Sequence, residues 1–219
     1  MVKKIIISLY LASIFISSLH AQDIFIPDLN TAINGSGWKG KFVSAELAKK
    51  DSAEALMITK TDGDDLIWLD GFKFTNGIIE FDAKGKSGPP QSSFVGIAIR
   101  VVDENTYDAI YFRPFNFRSP NPVNKSHAVQ YISHPDWTWK RLRDENPGEY
   151  EKSIEPAPNG DEWFHAKIVV QKPEVKVYVN SANEPSLVIN ELSNRIDGSV
   201  GLWCNEFGMI ANLKIKQQK

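Results

Sequence analysis

Two acidic side chains at alternate positions, Glu80 and Asp82, form a close pair of carboxylates on a clearly predicted strand. Residues two apart on a strand point to the same face, about 7 Å apart along the backbone. Glycoside hydrolysis uses carboxyl pairs about 5 to 5.5 Å apart for retention and about 6.5 to 9.5 Å apart for inversion. Glu80 and Asp82 could therefore act as a catalytic acid/base pair, and the backbone spacing excludes neither mechanism.

A second group of candidate residues falls on the outer positions of two further predicted strands. Arg100 ends an outer face of small residues, and Tyr111 and Arg113 share one face of the next strand. If both strands lie beside the strand of Glu80 and Asp82, these side chains form one sugar-binding surface, because arginine and carboxylates hydrogen-bond to hydroxyls. The alternative interpretation is a solvated sheet face whose charges pair across strands.

The segment from His134 to Arg141 contains two tryptophans and an arginine at alternate positions. Trp137, Trp139 and Arg141 would point the same way if the segment is extended. Exposed tryptophans beside an arginine are typical of a glycan subsite, although a long loop could also fold its own tryptophans onto the domain. The predicted substrate-binding residues are therefore Arg100, Tyr111, Arg113, His134, Trp137, Trp139 and Arg141.

Other chemistries have weaker support in the sequence. Asp62, Asp64 and Asp65 could offer oxygen ligands to calcium, but a turn rich in aspartate and glycine accounts for them equally well. His165 shares a strand face with Lys167 and is interpreted as a surface histidine. The chain has no glycine-rich phosphate loop, no Gly-x-Ser-x-Gly and no zinc-binding histidine pair. We therefore predict no metal and no cofactor.

The elements that must position these residues are predicted to be strands, because period-two patterns recur between turn residues and no long helical period appears. The strands are predicted at residues 55–59, 65–69, 74–84, 93–102, 107–113, 128–132, 163–170, 175–180, 199–204 and 209–216. This spacing predicts an all-β fold, a two-sheet antiparallel jelly-roll sandwich. The longer connections 114–126 and 134–161 are typical of functional or mobile loops.

Residues 1–21 have the pattern of a secretory signal peptide, with two lysines before an apolar run and Ala21 at the cleavage position. The run is too short for a comfortable membrane span. Residues 22–219 are predicted to form a single domain of a secreted or periplasmic protein. Cys204 is the chain's one cysteine, so no intramolecular disulfide can form. The formal net charge of −2 argues against a nucleic-acid partner.

Several strand patterns are similar to those of the concanavalin A-like superfamily. They are Asn76-Gly-Ile-Ile-Glu-Phe-Asp-Ala-Lys, Phe94-Val-Gly-Ile-Ala-Ile-Arg, Glu162-Trp-Phe-His-Ala-Lys-Ile-Val-Val, Gly198-Ser-Val-Gly-Leu-Trp and Ala211-Asn-Leu-Lys-Ile. Within it, the chain resembles laminin-G-like modules and the family 16-like glycosyl hydrolases of Bacteroidetes, also described as 3-keto-disaccharide hydrolases. The resemblance implies a ligand surface on the concave sheet, holding Glu80, Arg100, Tyr111 and Arg113.

The resemblance does not extend to one catalytic motif. Classical family 16 glucanases carry Glu-x-Asp-x-x-Glu, whereas Glu80-Phe-Asp82 is followed here by Ala-Lys-Gly. The missing final acid means that the classical retaining mechanism is not implied, and fold alone confers no activity.

The sequence favours a secreted carbohydrate-binding jelly roll that engages an oligo- or polysaccharide and could be hydrolytic. One alternative is a glycoside hydrolase that uses Glu80 and Asp82 as acid and base. Another is a protein-interaction module that presents the same aromatic side chains to a polypeptide. No sequence feature indicates an oligomeric state.

Overall fold

A computed structural model describes residues 24–40, 42, 44–60, 63–88 and 93–218. The expected signal segment, residues 1–21, lies outside the described residues. Within the ranges just given, no helix has the length and apolar character needed to cross a membrane.

Short antiparallel strands make up most of the described chain. They are β1 (Ile24–Phe25), β2 (Trp38–Gly40), β3 (Ser44–Lys50), β4 (Ala53–Lys60), β5 (Asp64–Leu69), β6 (Gly77–Lys84), β7 (Ser93–Asp103), β8 (Thr106–Phe112), β9 (Val129–Ser133), β10 (Glu151–Lys152), β11 (Phe164–Gln171), β12 (Glu174–Val179), β13 (Leu187–Asn190), β14 (Ser199–Glu206) and β15 (Gly208–Gln217). Two short helices, α1 (Pro122–Lys125) and α2 (Trp139–Glu145), lie in the connections around β9.

The described strands form two sheets. An eight-stranded sheet has the order β13-β12-β11-β6-β15-β4-β3, with β1 also paired to β15, and a seven-stranded sheet has the order β10-β9-β8-β7-β14-β5-β2. The pairings in both sheets are antiparallel. The predicted all-β, two-sheet jelly-roll sandwich is therefore confirmed.

The core lies between the sheets because each strand turns its apolar positions inward. Phe81 of β6 and Phe112 of β8 have ring centroids 6.3 Å apart, and Phe112 is 5.0 Å from Phe164 of β11, so these rings join the two sheets. All three are almost fully buried. Burying an aromatic or aliphatic side chain of this size stabilises the fold by about 1.5 to 3 kcal/mol. The residues that alternate with these phenylalanines along the strands, including Glu80 on β6 and Tyr111 on β8, consequently lie on the outer faces.

Each predicted strand overlaps a strand of the structure, but β1, β2, β3, β10 and β13 were not predicted. Four of these, β2, β3, β10 and β13, are the edge strands of the two sheets. Ser44–Lys50 shows the reason: its sequence, Ser-Ala-Glu-Leu-Ala-Lys-Lys, is rich in residues that favour helices. Pairing with β4 makes it a strand, so tertiary contacts override local propensity.

Candidate functional site

One row of residues crosses the outer face of the seven-stranded sheet. Strand register aligns Trp203 of β14, Gly96 of β7, Tyr111 of β8, Gln130 of β9 and Glu151 of β10. The rings of Tyr111 and Trp203 stack with centroids 4.4 Å apart, above the position of Gly96 between them.

Gly96 is what allows this stacking. A Cβ atom at this position would lie 2.2 Å from the carbonyl oxygen of Ile110 and 2.6 Å from the Cα of Tyr111. Both distances are far below van der Waals contact, so any larger residue would displace β8 or the Tyr111 ring. The row therefore depends on a glycine at the centre of the sheet.

A pocket of about 350 Å³ opens above this row. Its floor consists of buried side chains, Tyr111, Arg113, Asn116 and Trp203. Its walls are Asp64, Phe94, Phe115, Asn124, His127, Trp139, Arg143 and Asn205. The volume is within the range of small-molecule sites, and the mixture of aromatic faces and polar groups is typical of them. Several wall residues come from the connections 114–126 and 134–161.

Arg113 is held in the pocket floor by hydrogen bonds to neutral groups. Its guanidinium donates to the Tyr111 hydroxyl at 2.8 Å, to the Gln130 side-chain oxygen and to the His127 carbonyl at 3.0 Å. Burial lowers the pKa of Arg113 from its ordinary value, but its side chain stays cationic. Burial also raises the pKa of Tyr111 to about 12, so its hydroxyl is protonated at neutral pH.

Glu151 lies beneath the pocket beside three nitrogen-bearing side chains. Arg143 of α2 donates to it from Nε at 2.9 Å and from Nη2 at 2.7 Å. The Arg113 guanidinium lies 3.7 Å from the Glu151 carboxylate, and the His127 imidazole lies 3.3 Å from it. Burial lowers the pKa of His127; Glu151 opposes the shift, and repulsion from Arg143 and Arg113 adds to it. His127 is therefore largely neutral at pH 7.

Three of the predicted binding residues, Tyr111, Arg113 and Trp139, meet at this pocket. Trp139 is the most exposed of them, with 46% of its surface accessible. The Arg143 guanidinium lies 5.1 Å from the centre of the Trp139 ring. Their assignment as sugar contacts stays a prediction.

Trp137, Arg141 and His134 are not among the residues that line the pocket. The condition for their common orientation, an extended segment, is not met, because α2 begins at Trp139 with the Thr138 side chain accepting a hydrogen bond from the Arg141 backbone. Arg141 instead stacks over the Trp137 ring at 4.1 Å. His134 stacks on Tyr107 with centroids 4.9 Å apart.

Arg100 is buried inside the protein, so the expectation that it lies on the outer face is also wrong. It has no accessible surface and a positive φ of 55°, where the register of β7 against β8 shifts. Its guanidinium binds Glu191 at 3.0 and 2.8 Å and donates to the carbonyls of Phe74, Thr75 and Ile196. Arg100 therefore has a structural role.

Glu80 and Asp82 lie on the opposite sheet from the pocket. The assumed adjacency of the three strands holds for β7 and β8, which pair with each other, but not for β6, which pairs with β11 and β15 in the other sheet. Glu80 binds Lys216 at 3.0 Å, and Asp82 binds His165 at 2.9 Å and Asn212 at 2.6 Å. These contacts match the alternative interpretation of the sequence, a sheet face whose charges pair across strands. Catalysis by the two carboxylates stays a prediction without support from the pocket.

Sequence reasoning missed most of the pocket walls. His127 and Arg143 belong to or border the two long connections, whose length was the one signal that could have identified them. Trp203 alternates with the core residues Leu202 and Cys204, so period two would have placed it on the outer face.

The calcium hypothesis, which rested on Asp62, Asp64 and Asp65, stays a prediction. Asp62 lies outside the described residues, and Asp64 is hydrogen-bonded to Asn205 at 2.9 Å in the pocket wall. Among the residues that the structure describes, no group of three or more His, Cys, Asp or Glu side chains could hold a metal ion.

The fold and the pocket together define a concanavalin A-like jelly roll with a ligand-sized site on one outer sheet face. Residues 26–199 match the family of 3-keto-alpha-glucoside-1,2-lyase-like domains, and the chain belongs to this family. The resemblance to 3-keto-disaccharide hydrolases is thereby confirmed. No curated protein matches the sequence.

Solved structures with similar folds agree with this class. The carbohydrate-binding module CBM66 from Bacillus subtilis aligns with a TM-score of 0.55 and 16% identity, over 84% of this chain and 98% of the module. A Bacillus subtilis protein of unknown function with a galectin-like fold aligns with a TM-score of 0.53 and 12% identity, over 83% and 89% of the two chains. The β-glucanase of Bacillus licheniformis aligns with a TM-score of 0.51 and 10% identity, over 83% of this chain and 92% of the glucanase. At these identities the similarity establishes the fold alone.

Proposed function

We propose that this chain is a carbohydrate-binding jelly roll that takes a sugar in the pocket of the seven-stranded sheet. The observation that carries the proposal is the exposed Trp139 ring at the wall of a pocket lined by hydrogen-bonding side chains. A sugar ring has an apolar face that packs on an aromatic side chain and hydroxyls that need polar partners. Membership of a family named for a glucoside supports the same ligand class.

The pocket offers both kinds of contact. Phe94, Phe115 and Trp139 supply partly or largely accessible aromatic surfaces, whereas Tyr111 and Trp203 are nearly covered and form the floor. Amide groups that can donate to and accept from hydroxyls come from the side chains Asn116, Asn124 and Asn205. A pocket of about 350 Å³ is suited to one or two sugar units rather than a long chain.

The test compares two tryptophans two residues apart. We expect Trp139→Ala to weaken binding of the best ligand from a panel of purified glycans by about tenfold, because it removes the exposed aromatic wall. Trp137→Ala is the matched control, since Trp137 packs under Arg141 outside the pocket. Isothermal titration calorimetry measures both affinities, and circular dichroism checks the fold.

Equal affinities of wild-type protein and Trp139→Ala would contradict the proposed site. An equal loss in both variants would also contradict it, because the effect would not depend on the pocket. Saturable capture of a protein, with no glycan bound, would favour the interaction-module alternative instead.

A second candidate function is cleavage of the bound sugar, favoured by His127 in the pocket wall. In a 3-keto glucoside the carbonyl makes the C2 hydrogen acidic. The neutral His127 imidazole would take that proton, and the electrons would form a C1–C2 double bond as the bond from C1 to the aglycone oxygen breaks. The leaving oxygen would take a proton from water, and the imidazolium would return its proton to the hydroxide so formed. Arg113 and Arg143 lie near enough to His127 to stabilise negative charge on the carbonyl oxygen as it develops.

The cleavage candidate is tested with a 3-keto disaccharide. We expect release of the aglycone sugar by wild-type protein and at least a hundredfold slower release by His127→Asn, in line with the usual contribution of a general base. Glu80→Gln is the control from the other sheet and should cleave at the wild-type rate. Loss of cleavage in Glu80→Gln alone would restore the sequence-based acid/base hypothesis.

We further propose that the protein is exported, on the strength of the signal-peptide pattern in residues 1–21. Protein recovered from the periplasm or medium of expressing bacteria should begin at Gln22 by N-terminal sequencing. Recovery from the cytoplasm with an intact N-terminus would contradict export.

A further inference from the structure

The geometry points to an anion-binding subsite at the Arg113–Arg143 end of the pocket, so that the ligand is an acidic sugar bearing a carboxylate. A uronic acid belongs to this chemical class. This inference rests on the proposed function of the pocket as a sugar site. The carboxylate would lie against the two guanidinium groups, while the rest of the sugar contacts the aromatic walls.

The first support is a local excess of positive charge. Arg113 and Arg143 both line the pocket, and the ion pairs of the described residues give them one buried carboxylate to share, Glu151. Arg143 binds that carboxylate with two hydrogen bonds, whereas Arg113 approaches it only to 3.7 Å. One guanidinium charge is therefore left without a closely bonded carboxylate.

The second support is the burial of that charge. Arg113 is 5% exposed, and its hydrogen bonds go to Tyr111, Gln130 and the His127 carbonyl, all of them neutral. A buried cation is unfavourable unless an anion compensates it. Repulsion from Arg113 and Arg143 also contributes to the lowered pKa of His127, as expected where the potential is positive.

The acidic wall residue Asp64 lies toward the other end of the pocket. Asp64 of β5 is separated from β8 by β7 and β14, which places it three strand spacings away, or about 14 Å. Asp64 contributes to the raised pKa of Tyr111, but it is not among the charges that shift the pKa of Arg113, Arg143 or His127, so its influence at the two arginines is small. The pocket is thus cationic at one end and acidic at the other, an arrangement that orients a ligand with one charged substituent.

A purely structural role for this cluster leaves Arg113 unexplained. Arg143 and Glu151 already form a complete bidentate pair that ties α2 to β10. A neutral residue could bond to the Tyr111 hydroxyl and the Gln130 oxygen without burying a further charge.

The experiment uses ligand pairs that differ only in the carboxylate, namely oligogalacturonides and their methyl esters. We expect wild-type protein to bind the free acid at least about tenfold more tightly than the ester, with the preference shrinking as sodium chloride is added. Equal affinity for acid and ester would overturn the anion subsite while leaving the proposed sugar pocket intact. Failure of this protein to bind any member of a glycan panel would instead overturn the proposed function.

Two arginines of α2 provide a matched pair of variants. Arg143→Gln should remove most of the preference for the acid, whereas Arg141→Gln should keep it, since Arg141 bonds to Glu145 and packs on Trp137 away from the pocket. Glu151→Gln changes the local charge in the opposite direction and should increase the preference. An unchanged preference in folded Arg143→Gln would overturn the proposal, and thermal melting with circular dichroism establishes that each variant folds.

Discussion

The outer face of the eight-stranded sheet carries Glu80 and Asp82, and the outer face of the seven-stranded sheet carries Glu151 with Arg113 and Arg143. On the first face, Glu80 bonds to Lys216 and Asp82 bonds to Asn212, and His165 lies within reach of both carboxylates. On the second face, one carboxylate serves two arginines beneath a pocket. Similar side chains therefore form compensated charge pairs across strands in one place and a charged site beneath a pocket in the other.

The difference arises from what covers each sheet. The connections 114–126 and 134–161 supply wall residues above the seven-stranded sheet, where Arg113 and Glu151 are buried. An ion pair in water contributes little, whereas the same charges in a partly closed pocket interact strongly. Chemistry is therefore expected where loops cover a sheet.

The largest expected effect tests the buried charge of the pocket floor. Arg113→Ala should lower the free energy of unfolding by about 3 kcal/mol, because it removes hydrogen bonds to buried Gln130 and Tyr111 and one partner of Glu151. Arg118→Ala is the control: Arg118 is exposed, and its loss should change stability by less than about 0.5 kcal/mol. Urea denaturation measures both. Similar losses in the two variants would break the contrast between buried and exposed charge.

A smaller effect is expected from the glycine beneath the stacked rings. Gly96→Ala should cost about 2 kcal/mol and abolish sugar binding, because its methyl group overlaps the Tyr111 backbone. Gly88→Ala, where an added Cβ meets no atom within 4 Å, should leave both properties near wild type. Denaturant unfolding and calorimetry report stability and affinity, respectively. Wild-type binding by Gly96→Ala would show that the stacked floor is not needed.

The smallest effect is expected on the eight-stranded sheet. Burial alone would raise the pKa of Asp82, but Asn212, His165 and Lys50 outweigh burial and lower it below 3.8. A lowered carboxyl pKa contributes stability at neutral pH, and this contribution disappears as the pH falls through the folded-state pKa. The loss of stability should therefore occur below about pH 4. Asp82→Asn should lower the free energy of unfolding at pH 7 by about 1 kcal/mol or less, and it should make stability less dependent on pH below about pH 4.

Stability curves from pH 2 to 7 check the Asp82 prediction, with sugar affinity measured alongside. Affinity should match wild type, since Asp82 lies on the far sheet. Reduced affinity in folded Asp82→Asn would contradict the separation of the two faces.

The interior strands were predictable from sequence because apolar residues at every second position mark the face of each strand that packs in the core. Ile79 and Phe81 alternate with Glu80 and Asp82, and in the fold the two apolar residues are buried in the core whereas the two carboxylates pair with polar side chains of neighbouring strands. Edge strands such as β3 were missed because pairing on one side leaves few buried positions to mark them. Three of the predicted candidates, Tyr111, Arg113 and Trp139, line the pocket, although Trp139 does so from α2 and not from an extended segment. His127 and Arg143 follow no strand pattern.

The sequence by itself determined the all-β class, the interior strands and the outward direction of Tyr111 and Glu80, because period-two burial is a local property of the chain. Only the tertiary structure decided which strands are neighbours. Strand pairing joins residues far apart in sequence, so it separated Glu80 from Tyr111, buried Arg100 against Glu191 and brought Glu151 to Arg113. Charges acquire their chemical character from such long-range neighbours and from the loops that exclude water around them.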